Sequence, residues 1–156
     1  MGGAWVFPGG SVHAEDDGEK GAALRELREE AGLEIADTEG LVAFSRWVTP
    51  VEVKKRFDTW FFALRAPAGQ DPEVDGAECV DFRWIGPQAA LEAGGRGELL
   101  LVFPTIKHLE QLAELESVDH ALEVAAARTV EPIQPRVVMG GDHATVLLPG
   151  EPGYDD

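Results

Sequence analysis

The most restrictive feature of the sequence is a helix whose last turns carry three glutamates. Helix-forming residues run from about residue 19 to residue 31, and Gly32 is well suited to end the helix. Glu26, Glu29 and Glu30 lie at positions i, i+3 and i+4, so they share one face. Like charges at this spacing repel by about 0.2–0.5 kcal/mol per pair, and the helix dipole disfavours anions at this end. The pattern therefore indicates a compensating cation, either a neighbouring arginine or a divalent ion with oxygen ligands.

Composition favours a second interpretation of this helix, as a solvated acidic surface. The chain has 29 acidic and 13 basic residues among 156, a formal net charge of −16. Pairs of glutamates are common on the exposed helices of acidic proteins. The residues ahead of the helix make the cation interpretation more specific, because a glycine turn at Gly9-Gly10 and an acidic loop precede it.

The same composition argues against several classes of protein. A charge of −16 disfavours both a broad nucleic-acid surface and an anionic membrane, since each needs many basic contacts. The single cysteine, Cys79, excludes an internal disulfide framework. The sequence has no apolar run of the ~20 residues that span a bilayer, and its first residues do not resemble a signal peptide. We therefore expect a cytoplasmic protein of one domain, without nucleic-acid or membrane partners.

Hydrophobic periodicity and turn residues predict a mixed α/β fold. The predicted strands cover residues 5–7, 41–44, 46–48, 57–64, 78–85, 136–139 and 145–148. The predicted helices cover residues 19–31, 87–91, 105–115 and 119–127, with Thr105 and Asp119 as the N-caps of the last two. Because several strands follow one another without a helix between them, this order favours a mixed α/β sandwich over a doubly wound parallel sheet.

The glutamate helix and the loop before it resemble the Nudix box. That motif is Gly, five residues, Glu, seven residues, then Arg-Glu-aliphatic-x-Glu-Glu-x-Gly-aliphatic. Residues 25–33 (RELREEAGL) match its second half at every defined position. The first half differs, because the loop after Gly10 has one extra residue. Asp16 or Asp17 then stands where the motif has Glu, depending on the end from which the residues are counted.

The resemblance implies a Nudix-type α/β/α sandwich around a mixed β-sheet, with a C-terminal helical and β-hairpin extension. The Nudix domain would cover residues 1–128, and residues 129–156 would form an extension that packs on the same domain. Residues 7–10 (FPGG), 47–50 (WVTP) and 56–62 (RFDTWFF) are similar to the coenzyme A diphosphatase branch of the superfamily. The segment after residue 104 is similar to that branch as well.

The N-terminal part of a Nudix fold carries one or two strands before the Gly-Gly turn, whereas seven residues precede Pro8 here. We therefore expect an N-terminally truncated domain. Three explanations stay open: a misplaced start, a fragment, or strands supplied by another protomer. A sheet without these strands exposes an edge, so we expect association, with a homodimer as the candidate assembly.

The resemblance also implies a role for each charged residue of the box. Glu29 and Glu30 would be the main ligands of Mg²⁺ or Mn²⁺, with Glu26 as a further ligand or a helper in catalysis. Arg25 would orient Glu26 through a charged hydrogen bond. The bound metal would neutralise phosphate charge and help to generate hydroxide from water.

Residues outside the helix complete the predicted site. Gly10, next to Gly9, would let the loop backbone approach the metal or the phosphate. Glu78 is the candidate general base because it begins the predicted strand 78–85, and the alternative is a surface carboxylate. A dense basic cluster consists of Lys54, Lys55 and Arg56. It could bind a diphosphate or a 3′-phosphate, or it could be a solvated hairpin turn.

The predicted activity is hydrolysis of a diphosphate bond in a small nucleotide-diphosphate substrate, with a coenzyme A-like molecule as the leading candidate. One alternative keeps the chemistry and changes the substrate to ADP-ribose, a dinucleotide or a damaged nucleotide. A second alternative is a Nudix-fold binding or regulatory module without turnover. Loop contacts decide the substrate in this superfamily, so the fold does not choose among these alternatives.

Overall fold

Strands and helices are interspersed along the chain in the computed structural model, which describes residues 2–155. The strands in this range are β1 (Ala4–Trp5), β2 (Val42–Val48), β3 (Asp58–Ala63), β4 (Leu100–Leu101), β5 (Pro132–Ile133), β6 (Arg136–Gly140) and β7 (His143–Leu147). The helices are α1 (Gly18–Ala31), α2 (Pro87–Gly95), α3 (Phe103–Ala113) and α4 (Val118–Ala127). Within residues 2–155, no helix is long and apolar enough to cross a bilayer.

Helix α1 ends as the sequence predicts. Gly32 adopts the left-handed conformation with φ 63°, which costs glycine little because it has no Cβ. The Gly32 N–H donates to Arg28 O at 3.0 Å, and the Leu33 N–H donates to Leu27 O at 3.3 Å. These two bonds satisfy carbonyls that the end of the helix would otherwise leave unpaired. The helix therefore ends at Ala31, one residue after Glu30.

The central sheet has the strand order β3-β2-β5 and is mixed. Strand β2 pairs antiparallel with β3 and parallel with β5. The register of β2 against β3 shifts between Ala43 and Ser45, which places a bulge at Phe44. Helix α1 packs on β3, and helix α4 packs on both β2 and β3. The α/β class and the mixed sheet of the predicted fold are confirmed.

A hydrophobic core lies between helices α2 and α3. Its buried members are Ala90, Ala93, Leu99 and Leu109. Trp5 of β1 and Leu101 of β4 pack against this cluster, where the two short strands pair in parallel. The core therefore ties residues near the start of the chain to the region of α2 and α3.

A β-hairpin follows the central sheet in the chain. Strands β6 and β7 pair antiparallel from Arg136–Leu147 to Gly140–His143, and Gly141 at the turn has φ 67°. The hydroxyl of Tyr154 donates to Gln134 O at 2.7 Å. Strand β5, just before the hairpin, joins the central sheet through β2, a pairing that the sequence did not predict.

Several details of the predicted secondary structure are wrong. The strand predicted at residues 5–7 covers Ala4–Trp5, and the helix predicted at residues 87–91 extends to Gly95. No strand forms at residues 78–85, and every residue from 80 to 86 is exposed. A strand needs a hydrogen-bonded partner, and none of the strands in the described range pairs with this segment. Helix α3 begins earlier than predicted, after Val102 instead of Thr105, with proline in its first turn. Ser117, not Asp119, caps helix α4, and its side chain accepts the His120 N–H at 3.1 Å.

Candidate active site

Arg25 is the centre of a network that joins helix α1 to the loop before it. Its Nε and Nη2 donate to the two carboxylate oxygens of Asp16 at 2.9 and 3.0 Å. Its Nη1 donates to Glu26 Oε1 at 2.8 Å and to Glu29 Oε2 at 3.0 Å. Nη2 also donates to Ser11 O at 2.8 Å. One guanidinium group therefore holds three carboxylates and a loop carbonyl in a fixed arrangement.

Either Asp16 or Asp17 could take the place of the glutamate in the loop of the motif. Asp16 is the one whose carboxylate faces the helix and accepts hydrogen bonds from Arg25. The hydrogen bonds from Arg25, and the His13 N–H that donates to Oδ2 at 2.7 Å, lower the pKa of Asp16 to about 2. The reciprocal interaction with Asp16 raises the pKa of Arg25 above its usual value. Both groups therefore stay charged at neutral pH and keep the loop fastened to α1. The predicted bond from Arg25 to Glu26 is present in this network.

Gly10 allows the loop to lie directly against Glu26. A Cβ built on Gly10 would clash with Glu26 Oε1 and lie 2.6 Å from Cδ and 3.0 Å from Oε2. Glu26 is itself buried, with 8% of its surface exposed. The glycine at this position is therefore required by a close approach of backbone to a carboxylate.

Glu30 is held by the same loop. The Gly9 N–H donates to Glu30 Oε2 at 2.8 Å. Burial raises the pKa of Glu30, the Gly9 hydrogen bond opposes this shift, and the nearby charges of Glu26, Glu78 and Asp75 add to it. A carboxylate among other carboxylates in a partly desolvated place is stabilised by a cation. The predicted base Glu78 therefore lies in the electrostatic neighbourhood of Glu30, although the predicted strand that should position it does not form.

The turn at residues 75–79 positions Glu78. Asp75 Oδ1 accepts the backbone N–H groups of Ala77, Glu78 and Cys79 at 3.0, 3.1 and 2.9 Å. These bonds lower the pKa of Asp75. Burial, together with the charges of Glu30 and Asp75, raises the pKa of the Cys79 thiol, so it stays protonated at neutral pH. Asp75 was not among the predicted site residues, although the Asp-Gly pair at residues 75–76 is a turn signal that marks this position.

A metal site needs several of these carboxylates to converge. Within residues 2–155, no group of three or more His, Cys, Asp or Glu side chains stands close enough together to hold a metal ion. Arg25 engages one oxygen each of Glu26 and Glu29, and Gly9 engages one oxygen of Glu30. The donors themselves suit a hard divalent cation, because they are carboxylate oxygens gathered on one helix end. The assignment of the three glutamates as metal ligands stays a prediction.

The basic cluster lies on the exposed turn between β2 and β3. Lys54, Lys55 and Arg56 are all exposed. Lys55 Nζ lies 5.1 Å from the ring centroid of Phe57, and Arg56 Nε donates to Thr49 O at 3.4 Å. These contacts are local to the turn. The role of the cluster in substrate binding stays a prediction.

Comparisons with known proteins give the family to which the chain belongs. Residues 1–104 match the NUDIX domain. The chain is 30% identical over 118 residues to human acyl-coenzyme A diphosphatase NUDT19, an alignment that covers 71% of this chain and 31% of the relative. It is 36% identical over 108 residues to the RNA pyrophosphohydrolase of Cereibacter sphaeroides, covering 58% of this chain and 64% of the relative. No solved structure matches the chain.

The chain belongs to the Nudix hydrolase family, since the domain match covers two thirds of its length. This result confirms the family predicted from residues 25–33 and the α/β fold that goes with it. Members of the family act on small nucleotide-linked substrates and generally use divalent metal ions. The chain spans less than two thirds of the length of each relative described above.

Proposed function

We propose that this chain hydrolyses the diphosphate bond of a nucleotide linked to another group, and that a coenzyme A-like molecule is its substrate. The observation that carries the substrate class is the similarity to human acyl-coenzyme A diphosphatase NUDT19 over 71% of the chain. The glutamate face of α1, fastened to the Gly9-Gly10 loop, supports hydrolysis at this end of the helix.

Glu26, Glu29 and Glu30 would hold Mg²⁺ or Mn²⁺ in this proposal. When bound, the ion would neutralise phosphate charge and lower the pKa of a water molecule. Arg25 keeps Glu26 and Glu29 oriented while leaving one oxygen of each outside its own hydrogen bonds. The Gly9 N–H does the same for Glu30. The chain thus fixes the carboxylates before substrate arrives, which lowers the cost of ordering them later.

Glu78 is our proposed general base. Its charge contributes to the raised pKa of Glu30, one of the predicted metal ligands. The Asp75 turn fixes its backbone, because Glu78 N–H donates to Asp75 Oδ1 at 3.1 Å. A carboxylate at this place can accept the proton of a water that attacks the diphosphate. The basic cluster at residues 54–56 would attract the anionic substrate from a more distant position.

The similarity to RNA pyrophosphohydrolase over 58% of the chain favours a second candidate, a diphosphate carried by RNA. The net charge of −16 weighs against it, because a nucleic-acid backbone would be repelled over most of the surface. The alternative outside the enzymes is a Nudix-fold module that binds nucleotides without turnover.

A substrate panel tests the proposal. The protein is incubated with Mg²⁺ or Mn²⁺ and, in separate reactions, coenzyme A, acyl-coenzyme A, ADP-ribose, NADH and 5′-triphosphorylated RNA. New phosphorylated products are separated by ion-exchange chromatography and identified by mass. We expect coenzyme A or its acyl ester to give the highest kcat/KM. Faster hydrolysis of RNA would replace the leading candidate, and binding without products would establish the non-catalytic alternative.

Variants then test the assigned residues. Glu29→Gln and Glu30→Gln should each lower kcat by about 10²-fold or more and weaken Mn²⁺ binding measured by calorimetry. Glu78→Gln should lower kcat by about 10²–10⁴-fold while Mn²⁺ affinity changes little, because a base accepts a proton without holding the ion. Glu123→Gln, on the exposed face of helix α4, is the control and should behave as wild type. Undiminished turnover in Glu29→Gln and Glu30→Gln would refute the metal assignment.

A further inference from the structure

Residues 79–85, with the sequence CVDFRWI, combine the pattern of a strand with the exposure of a loop. The exposed fractions are 78% for Val80, 44% for Phe82 and 60% for Trp84. In the described part of the chain, no backbone carbonyl accepts a hydrogen bond from the amides of residues 80–85. Exposed apolar side chains next to backbone amides that no backbone carbonyl pairs form a surface on which another strand can add.

Read from either end, the segment has two apolar residues, then one charged residue, then Phe82. Phe82 is the centre, oppositely charged residues flank it, and apolar residues follow on both sides. When a second copy pairs antiparallel so that Phe82 lies opposite Phe82, each residue opposes one of complementary chemistry. The pairs are Phe82 with Phe82, Asp81 with Arg83, Val80 with Trp84, and Cys79 with Ile85. The two-fold axis forms each unlike pair twice.

We propose that residues 79–85 are a self-association strand that pairs antiparallel with the same strand of a second copy of this chain. The occupant is a second copy because, in this register, Asp81 of each copy opposes Arg83 of the other and Phe82 opposes Phe82. A register with Asp81 on the axis places two aspartates opposite each other, and one with Arg83 on the axis places two arginines there. Like charges directly opposite each other destabilise a strand pair, so the axis at Phe82 is preferred over both.

The alternation of side chains supports this arrangement. In a strand, Val80, Phe82 and Trp84 point to one face, and the charged residues point to the other. The paired strands would therefore gather six apolar side chains on one face and two Asp–Arg pairs on the other. Cross-strand aromatic, aliphatic and opposite-charge pairs each stabilise such a ribbon.

The present contacts of the segment permit this pairing. The Arg83 guanidinium lies 5.5 Å from the ring centroid of Trp5 and is still exposed. The Phe82 N–H donates to Asp81 Oδ1 at 2.8 Å, a local bond that strand pairing would replace with one to the second copy. Two seven-residue strands make an interface at the small end of specific association, so we expect a weak dimer.

Sedimentation velocity tests the proposal without any measurement of activity. Wild-type protein is measured from about 1 µM to about 1 mM, the range in which a small interface dissociates. We expect a monomer–dimer equilibrium. Asp81→Arg should raise the dimer dissociation constant at least about tenfold, because it places arginine opposite Arg83 twice. The double variant Asp81→Arg/Arg83→Asp should restore the wild-type constant, since it reverses both charges and keeps them complementary.

The control for net charge is Glu123→Arg, on an exposed position of helix α4, which changes the charge by the same amount as Asp81→Arg. It should leave the dimer unchanged. Circular dichroism checks that each variant is folded, and residues 81 and 83 are exposed, so we expect no change. A wild-type protein that stays monomeric over the whole range overturns the proposal. So does a dimer that Asp81→Arg leaves intact, or a double variant that fails to restore it.

Discussion

Substituting Gly10 by alanine tests whether the loop and helix α1 are fitted together around Glu26. A Cβ at this position would lie 2.6 Å from Glu26 Cδ, whereas an ordinary contact begins at 3.4 Å. The carboxyl carbon must therefore move by about 0.8 Å, the difference between these two distances. Burial of Glu26 and the 2.8 Å bond from Arg25 Nη1 to its Oε1 restrict that movement. The displaced carboxylate would no longer occupy its position on the glutamate face.

The expected cost follows from the size of this displacement. Misplacing a catalytic group by about 1 Å lowers activity by about 10²-fold, so we expect Gly10→Ala to reduce kcat/KM by about 30–100-fold. Mn²⁺ binding, titrated by calorimetry on the protein alone, should weaken as well. That second measurement does not depend on the identity of the substrate.

Gly95→Ala is the matched control for this substitution. A Cβ on Gly95, at the end of helix α2, meets no atom within 4 Å. This variant should keep wild-type turnover and Mn²⁺ affinity. If Gly10→Ala matches Gly95→Ala in both measurements, then the close approach of the loop does not position Glu26, and the reasoning fails.

Two further predictions concern stability. Burial lowers the pKa of His108 below 6.5, so the unfolded chain binds its proton more readily and the free energy of unfolding should fall as pH decreases below about 6.5. Melting curves between pH 5 and pH 8 should show this slope in wild type and in His143→Gln, an exposed control, and a slope that persists in His108→Gln would contradict it. Leu109→Ala should lower the free energy of unfolding by about 2–5 kcal/mol in urea titrations, because Leu109 is 7% exposed in the α2–α3 core. Leu100→Ala, at a position that is 59% exposed, should cost much less, and equal losses would show that burial does not set the difference.

Local chemistry explains why helix α1 could be predicted from the sequence. Its composition, the stop at Gly32 and the i, i+3, i+4 spacing of the glutamates all depend on residues within a few positions of one another. The helix begins at Gly18, one residue from the predicted start, and ends at Ala31 as predicted. The family assignment depends on the same short segment, which is why it could be made before the fold was known.

Contacts between distant residues explain the predictions that failed. Residues 78–85 have a strand-like sequence, but strand formation requires a partner that no local pattern supplies. Strand β5 has only two residues and exists because Pro132 and Ile133 meet β2 across more than 80 positions of the sequence. The choice of Asp16 over Asp17 likewise needed the position of Arg25 in space. The placement of the glutamates on one helix was therefore predictable, whereas the loop contacts that complete the arrangement were less so.

The balance of charge at the end of α1 connects the structure to the proposed chemistry. Arg25 donates to three carboxylates, those of Asp16, Glu26 and Glu29, so a single positive charge faces three negative ones. Glu30 adds a fourth carboxylate that Gly9 holds through an uncharged N–H, and its pKa is raised by burial and by neighbouring acids. The arginine thus orders the cluster without neutralising it. In the proposed function, the remaining negative charge would favour a divalent cation, and that cation would allow a protein of net charge −16 to accept an anionic diphosphate.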